Sequence, residues 1–174
     1  PGGRVMAGAV DILLDAYSRV GEAVHRAGAG LSEAELAARL DPGANSIGWL
    51  LWHLTRVQDD HIADVAGREE EWTSGGWQQR FDLPVGGTGY GHSTEQVGQV
   101  RGFSAELLLA YYDAVHARTL EFVGAQSAAD LDRVVDESWD PPVTLAVRLV
   151  SVVDDCLKHA GQAAFIRGVL ERRG

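Results

Sequence analysis

A long amphipathic stretch near the C-terminus reads LAVRLVSVVDDCLKHAGQAAFIRGVL (residues 145–170). Its apolar residues recur at three- and four-residue spacing, the pattern of a helix with one buried face. Asp155 and His159 lie at the edge of that face, and a separation of four residues places their side chains about one turn apart. The stretch predicts a long bundle helix from Thr144. The residues expected inward are Leu145, Leu149, Val152, Cys156, Ala163, Ile166 and Leu170.

Two other long helices are delimited by caps and glycines. The first covers about residues 5–27 and ends at the glycines that follow. The second is capped by Asn45 or Ser46 and stops at Gly67. On this helix Trp52 points away from the apolar face. An exposed aromatic there would favour a two-fold homodimer through the outer helix faces.

The third long helix is led by Ser93 or Thr94 and continues past a break near Gly102. Before it, residues 68–92 are rich in glycine and contain four aromatic residues. A segment this long in a compact domain usually has a function or crosses the bundle. We therefore expect a long crossover loop between the second and third long helices, which also roofs a pocket.

Short helices are expected after two further serine caps, Ser32 and Ser127. Together these elements predict an all-α fold, a four-helix bundle with one long crossover loop. The length suits one domain over residues 1–174.

The composition, with 45% hydrophobic and 23% charged residues, is that of a soluble globular protein. The net charge of −10 argues against a nucleic-acid partner, because an acidic surface repels phosphate. No apolar run has the roughly 18 residues of a membrane span, and no signal pattern opens the chain, so we expect a cytoplasmic protein. A single cysteine, Cys156, excludes an internal disulfide.

A third polar residue lies at the edge of an apolar stripe, His53 within the run WLLWHL (residues 49–54). With Asp155 and His159 it would supply two imidazoles and one carboxylate from two facing helices. That set suits zinc, nickel or a similar ion and leaves coordination positions open. However, a histidine beside an apolar stripe is commonly a hydrogen-bonded core residue, and Asp155 and His159 could form a helix salt bridge. The spacing leaves both interpretations open.

Three segments resemble the motifs of DinB-like proteins. They are SIGWLLWHL (residues 46–54), TGYGHS (88–93), and the last helix from VTL (143–145) through DCLKHAGQ (155–162) to RG (167–168). The resemblance covers nearly the whole chain and is greatest to the branch that contains mycothiol-dependent enzymes. It implies that His53, Asp155 and His159 bind a divalent metal, with Asp in place of the more usual Glu. Zinc is the metal expected, with nickel as an alternative.

The same resemblance implies a metal-dependent thiol transferase. In such an enzyme the metal-bound thiolate of a small thiol, here mycothiol, attacks an electrophile seated beneath the long loop. Two alternatives stay open, namely a non-catalytic, stress-associated metal-binding protein and a metal-dependent hydrolase.

Five other polar residues are candidates for either a functional or a purely structural role. His61 is about 12 Å farther along its helix than the predicted ligand and is expected to be a core or surface histidine. Asp60 is expected in solvent. His92 is expected to be a solvent-exposed loop residue, with an acid–base role over the pocket as the alternative. Gln162 either orients a ligand or packs between helices. Cys156 is expected to be inert core.

Overall fold

The structure, a computed structural model, describes residues 8–173. Its four long helices are α1 (Ala9–Gly28), α3 (Ile47–Ala66), α7 (Ala105–Gly124) and α9 (Leu145–Arg173). The shorter helices are α2 (Glu33–Ala37), α4 (Glu71–Ser74), α5 (Trp77–Phe81), α6 (Thr94–Gln99) and α8 (Ala128–Leu131). The predicted all-α bundle is confirmed. Residues 5–7 of the first predicted helix lie outside the described residues.

The helix starts follow the serine caps. Ser46, rather than Asn45, caps α3, since its side chain accepts a hydrogen bond from the backbone N–H of Trp49 at 3.0 Å. Ser93, rather than Thr94, caps α6 in the same way. The predicted break is confirmed at Gly102, which has φ +86° and separates α6 from α7. The helices after Ser32 and Ser127 are also confirmed.

The bundle is built so that α9 packs against both α1 and α3, and α7 packs against the same two helices. The first and second long helices are therefore diagonal to each other. Buried hydrogen bonds join the helices across the core. The Tyr17 hydroxyl donates to the carbonyl of Leu149 at 3.0 Å, and Gln58 Nε2 donates to Thr119 Oγ1 at 2.9 Å.

A short antiparallel pair of strands precedes the last helix, β1 (Val134–Asp136) and β2 (Val143–Thr144). These strands were not predicted from the sequence. Two strands of this length are below the usual size of an independent sheet and depend on the neighbouring helices. No described helix is both long enough and apolar enough to cross a membrane.

The crossover between α3 and α7 is partly helical. Asp59 of α3 accepts hydrogen bonds from the backbone N–H groups of Glu71 and Trp72, at 2.9 and 2.8 Å, and so caps α4 from a neighbouring helix. Three of the four aromatic rings of the crossover are buried, and the fourth, that of Tyr90, is exposed. The buried residues are Trp72, Trp77 and Phe81. The crossover is thus a packed layer over one face of the bundle.

This layer overturns the expectation for Trp52, which is fully buried. Its ring lies against those of Trp72 and His92, with centroids 6.2 and 5.9 Å away. The prediction of an exposed Trp52 is wrong because the apolar stripe accounts only for the helix partners of α3, whereas the crossover covers a second face. The homodimer stays a prediction, without the support of this residue.

Candidate metal site

The three predicted ligands lie together between α3 and α9. One ligand atom from each of His53, Asp155 and His159 can be chosen so that all three lie within 4.8 Å of one another. His53 is 5% exposed, while Asp155 and His159 are half-buried. The two helices run in opposite directions here, since His53 lies beside His159 whereas Gln58, later on α3, contacts Cys156, which is earlier on α9.

The imidazole of His53 is fixed by the crossover. Its Nδ1 lies 2.5 Å from the carbonyl oxygen of Thr88, and because a carbonyl only accepts, Nδ1 must carry the proton. Nε2 then keeps a free lone pair. The ring also stacks on Trp49, with centroids 4.6 Å apart. A second hydrogen bond that fixes tautomer and ring orientation is the usual support of a metal-binding histidine.

His159 is held in the same manner by its own helix. Its Nδ1 donates to the main-chain carbonyl of Asp155 at 2.8 Å, which again leaves the Nε2 lone pair free. The rings of His53 and His159 meet edge to face, with centroids 4.6 Å apart.

The carboxylate of Asp155 has an unsatisfied oxygen. Oδ2 is buried and accepts no hydrogen bond, although His159 Nδ1 is 3.3 Å away, because that N–H is directed at the carbonyl. A buried carboxylate oxygen without a partner is costly unless a cation or a donor meets it. Two imidazole nitrogens and one carboxylate oxygen fit a divalent ion such as zinc.

The electrostatics favour a neutral His53 and a charged Asp155. Burial lowers the pKa of His53, so its lone pair is free of a proton at neutral pH. Burial acts to raise the pKa of Asp155, but His159 and the other nearby histidines outweigh it and the net shift is downward. Contact with Asp155 raises the pKa of His159, so protons compete with an ion for this residue as the pH falls.

A cavity of about 310 Å³ opens beside these ligands, between α3, α9 and the crossover. The crossover therefore does line a pocket, as expected. That His61 lines this cavity was not predicted from the sequence. The distance along the helix was used only to judge whether His61 and His53 could bind the same ion. The lining residues are His53, Val57, His61, Thr88, Tyr90, Ser151, Val152 and Asp155.

The other four polar residues considered in the sequence differ in their burial and contacts. Asp60 is 45% exposed, as expected. Both ring nitrogens of His92 are engaged, since Nδ1 accepts from Trp49 Nε1 at 3.3 Å and Nε2 lies 3.2 Å from the carbonyl of Gly86. His92 is half-buried rather than solvent-exposed, and it secures the crossover. Gln162 is exposed in a separate groove. Cys156 is fully buried, as expected, and burial raises the pKa of its thiol.

A buried polar network behind the site was also missed. Arg56 donates from Nε to the carbonyl of Gly87 at 3.2 Å and pairs through Nη1 with Glu70 at 2.5 Å. The Tyr111 hydroxyl donates to Asp59 at 2.8 Å. The available signal was the polar run RVQDD (residues 56–60) in the middle of a helix whose neighbouring turns are apolar. The network ties the crossover to α3 and α7.

This four-helix bundle, with a His–Asp–His cluster between its second and last long helices, defines a DinB-like protein. More specifically, the chain belongs to the mycothiol-S-transferase family, whose model matches residues 13–172. Its fold is also that of a conserved protein from Enterococcus faecalis with a crystal structure, at a TM-score of 0.86 and 29% identity. That similarity covers 93% of this chain and 96% of the other. No curated protein matches the chain.

Proposed function

We propose that His53, Asp155 and His159 hold a divalent metal ion, zinc or alternatively nickel, and that the protein is an S-transferase joining mycothiol to an electrophile. The observation that carries the proposal is the unpartnered, buried Oδ2 of Asp155 beside two imidazoles that each keep one nitrogen free. Three protein ligands leave a position open for a further one, as in catalytic rather than structural sites. Mycothiol is proposed as the thiol because the description of the family names it.

The proposed reaction forms a carbon–sulfur bond between the thiol and the electrophile. The bond from that carbon to its leaving group breaks, the leaving group departs with the electron pair, and the thiol proton passes to solvent. A bound divalent cation lowers the pKa of a thiol and so supplies thiolate at neutral pH.

The chain's own residues hold and shield the reactants. The carbonyl of Thr88 and the ring of Trp49 hold His53 in one orientation. Val57 and Val152 form the apolar part of the cavity wall and keep water from the sulfur. The electrophile would enter beneath the crossover. Holding both reactants beside each other supplies the proximity part of the rate enhancement.

The test combines metal analysis with a conjugation assay. Purified protein is expected to contain about one metal ion per chain and to accelerate the reaction of mycothiol with monochlorobimane, which releases chloride. His53→Ala should stay folded by circular dichroism and lose both the metal and the acceleration. The matched control is His25→Ala, which removes a half-exposed histidine paired with Asp113 on the other side of the bundle.

Two results would favour the other functions. Bound metal that stabilises the fold, without turnover of any small thiol, would support a non-catalytic metal-binding protein. Metal-dependent ester or amide hydrolysis without thiol would support a hydrolase.

A further inference from the structure

The last helix carries a second row of apolar side chains, on the side that faces away from the bundle core. Among the described residues, eight large hydrophobic side chains are exposed, and four of them lie on α9. Successive residues of an α-helix advance by about 100°, so these four fall within about 80° of one another and point away from the core. They are Val147, Val150, Leu157 and Phe165, which are 40 to 65% exposed.

This row, with Asp154 and Gly161 between its apolar members, is called the outer stripe below. Single exposed apolar side chains are ordinary, whereas an apolar patch rimmed by polar residues usually marks an interaction surface. Open grooves of about 440 and 410 Å³ lie against the stripe, the first beside Val147 and Val150 and the second beside Gly161 and Phe165. The fold of one chain therefore leaves the outer stripe uncovered.

The middle of the outer stripe is a glycine that nothing in the chain requires. Gly161 lies in the interior of α9, where glycine is less favourable than any other residue except proline. A Cβ added to it would meet no atom within 4 Å. The packing of this chain thus has ample room for a larger residue at position 161. The missing side chain would instead let a second helix approach α9 closely, since the distance between packed helices depends on the side chains at the contact.

The charges of α9 differ from those of the rest of the chain. The helix carries five lysine or arginine residues against three acidic ones, although the whole chain has a net charge of −10. Two copies of an acidic protein repel each other, and this repulsion is smallest where α9 meets α9.

The order of the charges along the outer stripe favours one direction of packing. Asp154 lies in the first half of α9, whereas Arg172 lies at its end. Two parallel copies of the helix would bring each of these residues against its own kind. Two antiparallel copies bring the acidic part of each helix towards the basic end of the other, so that opposite charges meet twice.

We propose that the outer stripe is the interface of a two-fold dimer, in which α9 of two copies of this chain packs antiparallel about an axis at Gly161. Leu157 of each copy then lies against Phe165 of the other, because the two positions are equally far from Gly161. Asp154 of each copy lies within about one turn of Arg172 of the other. The inference does not depend on the proposed function.

The size of the contact sets the expected affinity. From Val150 to Arg172 the helix is about 33 Å long, and each copy contributes one helix. Such a contact belongs to the small class of interfaces, below about 1,200 Å² in total, which is typical of weak or transient complexes. We therefore expect a dissociation constant on the order of 10 µM.

The first test is sedimentation velocity over a range of protein concentrations. The wild type should be mostly dimeric at about 100 µM. Leu157→Asp and Phe165→Asp should each raise the dissociation constant at least about tenfold, because each places two unpaired carboxylates in the contact. The matched control is Ile12→Asp, which alters a 63% exposed side chain on α1 and should leave the dimer unchanged. Circular dichroism checks that each variant keeps its helical content.

The second test locates the axis with introduced cysteines. The native Cys156 is fully buried, so the introduced thiols are the ones open to oxidation by diamide. In the proposed dimer the two copies of position 161 meet at the axis, within the 4.4–6.8 Å between Cα atoms that a disulfide spans. Gly161→Cys should therefore give a disulfide-linked dimer on a non-reducing gel. The two copies of position 168 would be about 21 Å apart along the helices, so Gly168→Cys should stay unlinked.

Each result supports or overturns the proposal. A concentration-dependent dimer that Leu157→Asp and Phe165→Asp disrupt, with linkage at position 161 alone, supports it. Linkage at both positions would mean that the helices pack in parallel and would overturn the antiparallel arrangement. A wild type that stays monomeric at about 100 µM, or a dimer insensitive to both Asp variants, would overturn the assignment of the outer stripe as an interface.

Discussion

The two sides of the candidate metal site are organised by different means. On α3, His53 is buried and oriented by Thr88, a residue 35 positions away on the crossover. On α9, His159 is oriented by the carbonyl one turn earlier, and both it and Asp155 are half-buried. One side depends on tertiary packing and the other on helix geometry alone. The α9 pair should therefore survive changes in the crossover that displace His53.

The largest effect is expected from removing a ligand on the α9 side. His159→Ala leaves two ligands where a stable site generally needs three, so the variant should lose its stoichiometric metal. Elemental analysis of purified protein checks this, with His116→Ala on α7 as the control. Full metal content in His159→Ala would refute the ligand assignment.

A substitution at Gly89 tests how far the crossover orients His53. An added Cβ would lie 2.9 Å from the ring of Trp52 and 3.0 Å from His53 Nδ1, so Gly89→Ala should push the crossover away from His53. We expect metal affinity to fall about 10- to 100-fold, as for loss of a group that orients a metal-binding histidine. Competition with a chromogenic chelator measures it.

The control for this change is Gly91→Ala, which has a similar positive φ but no atom within 4 Å of the added Cβ. Backbone strain alone, about 1–2 kcal/mol, should destabilise both variants. Equal metal affinities in the two variants would mean that the crossover does not organise His53.

A smaller effect, on stability, is expected from removing one hydroxyl of the hydrogen-bond network that holds the crossover against α3 and α7. Tyr111→Phe removes the hydroxyl that donates to Asp59 and accepts from Arg56 Nη1, both buried. The free energy of unfolding should fall by about 1–3 kcal/mol. Urea denaturation measures this. Tyr112→Phe removes a hydroxyl that lies 3.2 Å from Nδ1 of the half-buried His116, and this change should cost less. The reverse order would show that the network adds little to stability.

The smallest effect should follow from Cys156→Ser. The thiol is fully buried and contacts Gln58 Oε1 at 3.7 Å, so a serine hydroxyl retains an acceptor and costs about 1 kcal/mol or less. Metal content and conjugation activity should be unchanged, because the proposed nucleophile is the sulfur of the small thiol. Loss of turnover with metal still bound would overturn the proposed mechanism.

The sequence was sufficient for features that depend on local periodicity. Apolar spacing predicted the four long helices, and the four-residue separation of Asp155 and His159 predicted that they share a face. The sequence was insufficient where contact with a distant segment determines the capping of a helix or the burial of a side chain. The first turn of α4 is capped by Asp59 on α3, and Trp52 is buried by the crossover. Neither contact leaves a periodic signal.

For the candidate site, too, local spacing was predictive and contacts with distant segments were not. The ligand set was predicted from helix spacing together with the resemblance to DinB-like proteins. His61 was set aside because one-dimensional distance along a helix measures whether two residues can share an ion. It does not measure whether they line one cavity, which depends on how α9 and the crossover close over α3.

Both candidate histidine ligands are oriented by main-chain oxygens, those of Thr88 and Asp155. Every amino acid at position 88 would present the same carbonyl to His53, so the side chain at that position carries no part of the constraint. Side chains of the cavity mouth can therefore be exchanged, by evolution or by design, without altering the hydrogen bond that orients His53. Gly89, whose added Cβ would press against Trp52 and His53, does not have that freedom. Such a scaffold would keep the orientation of a candidate ligand independent of the side chains beside it, and libraries varied at positions 88 and 90 would test that independence.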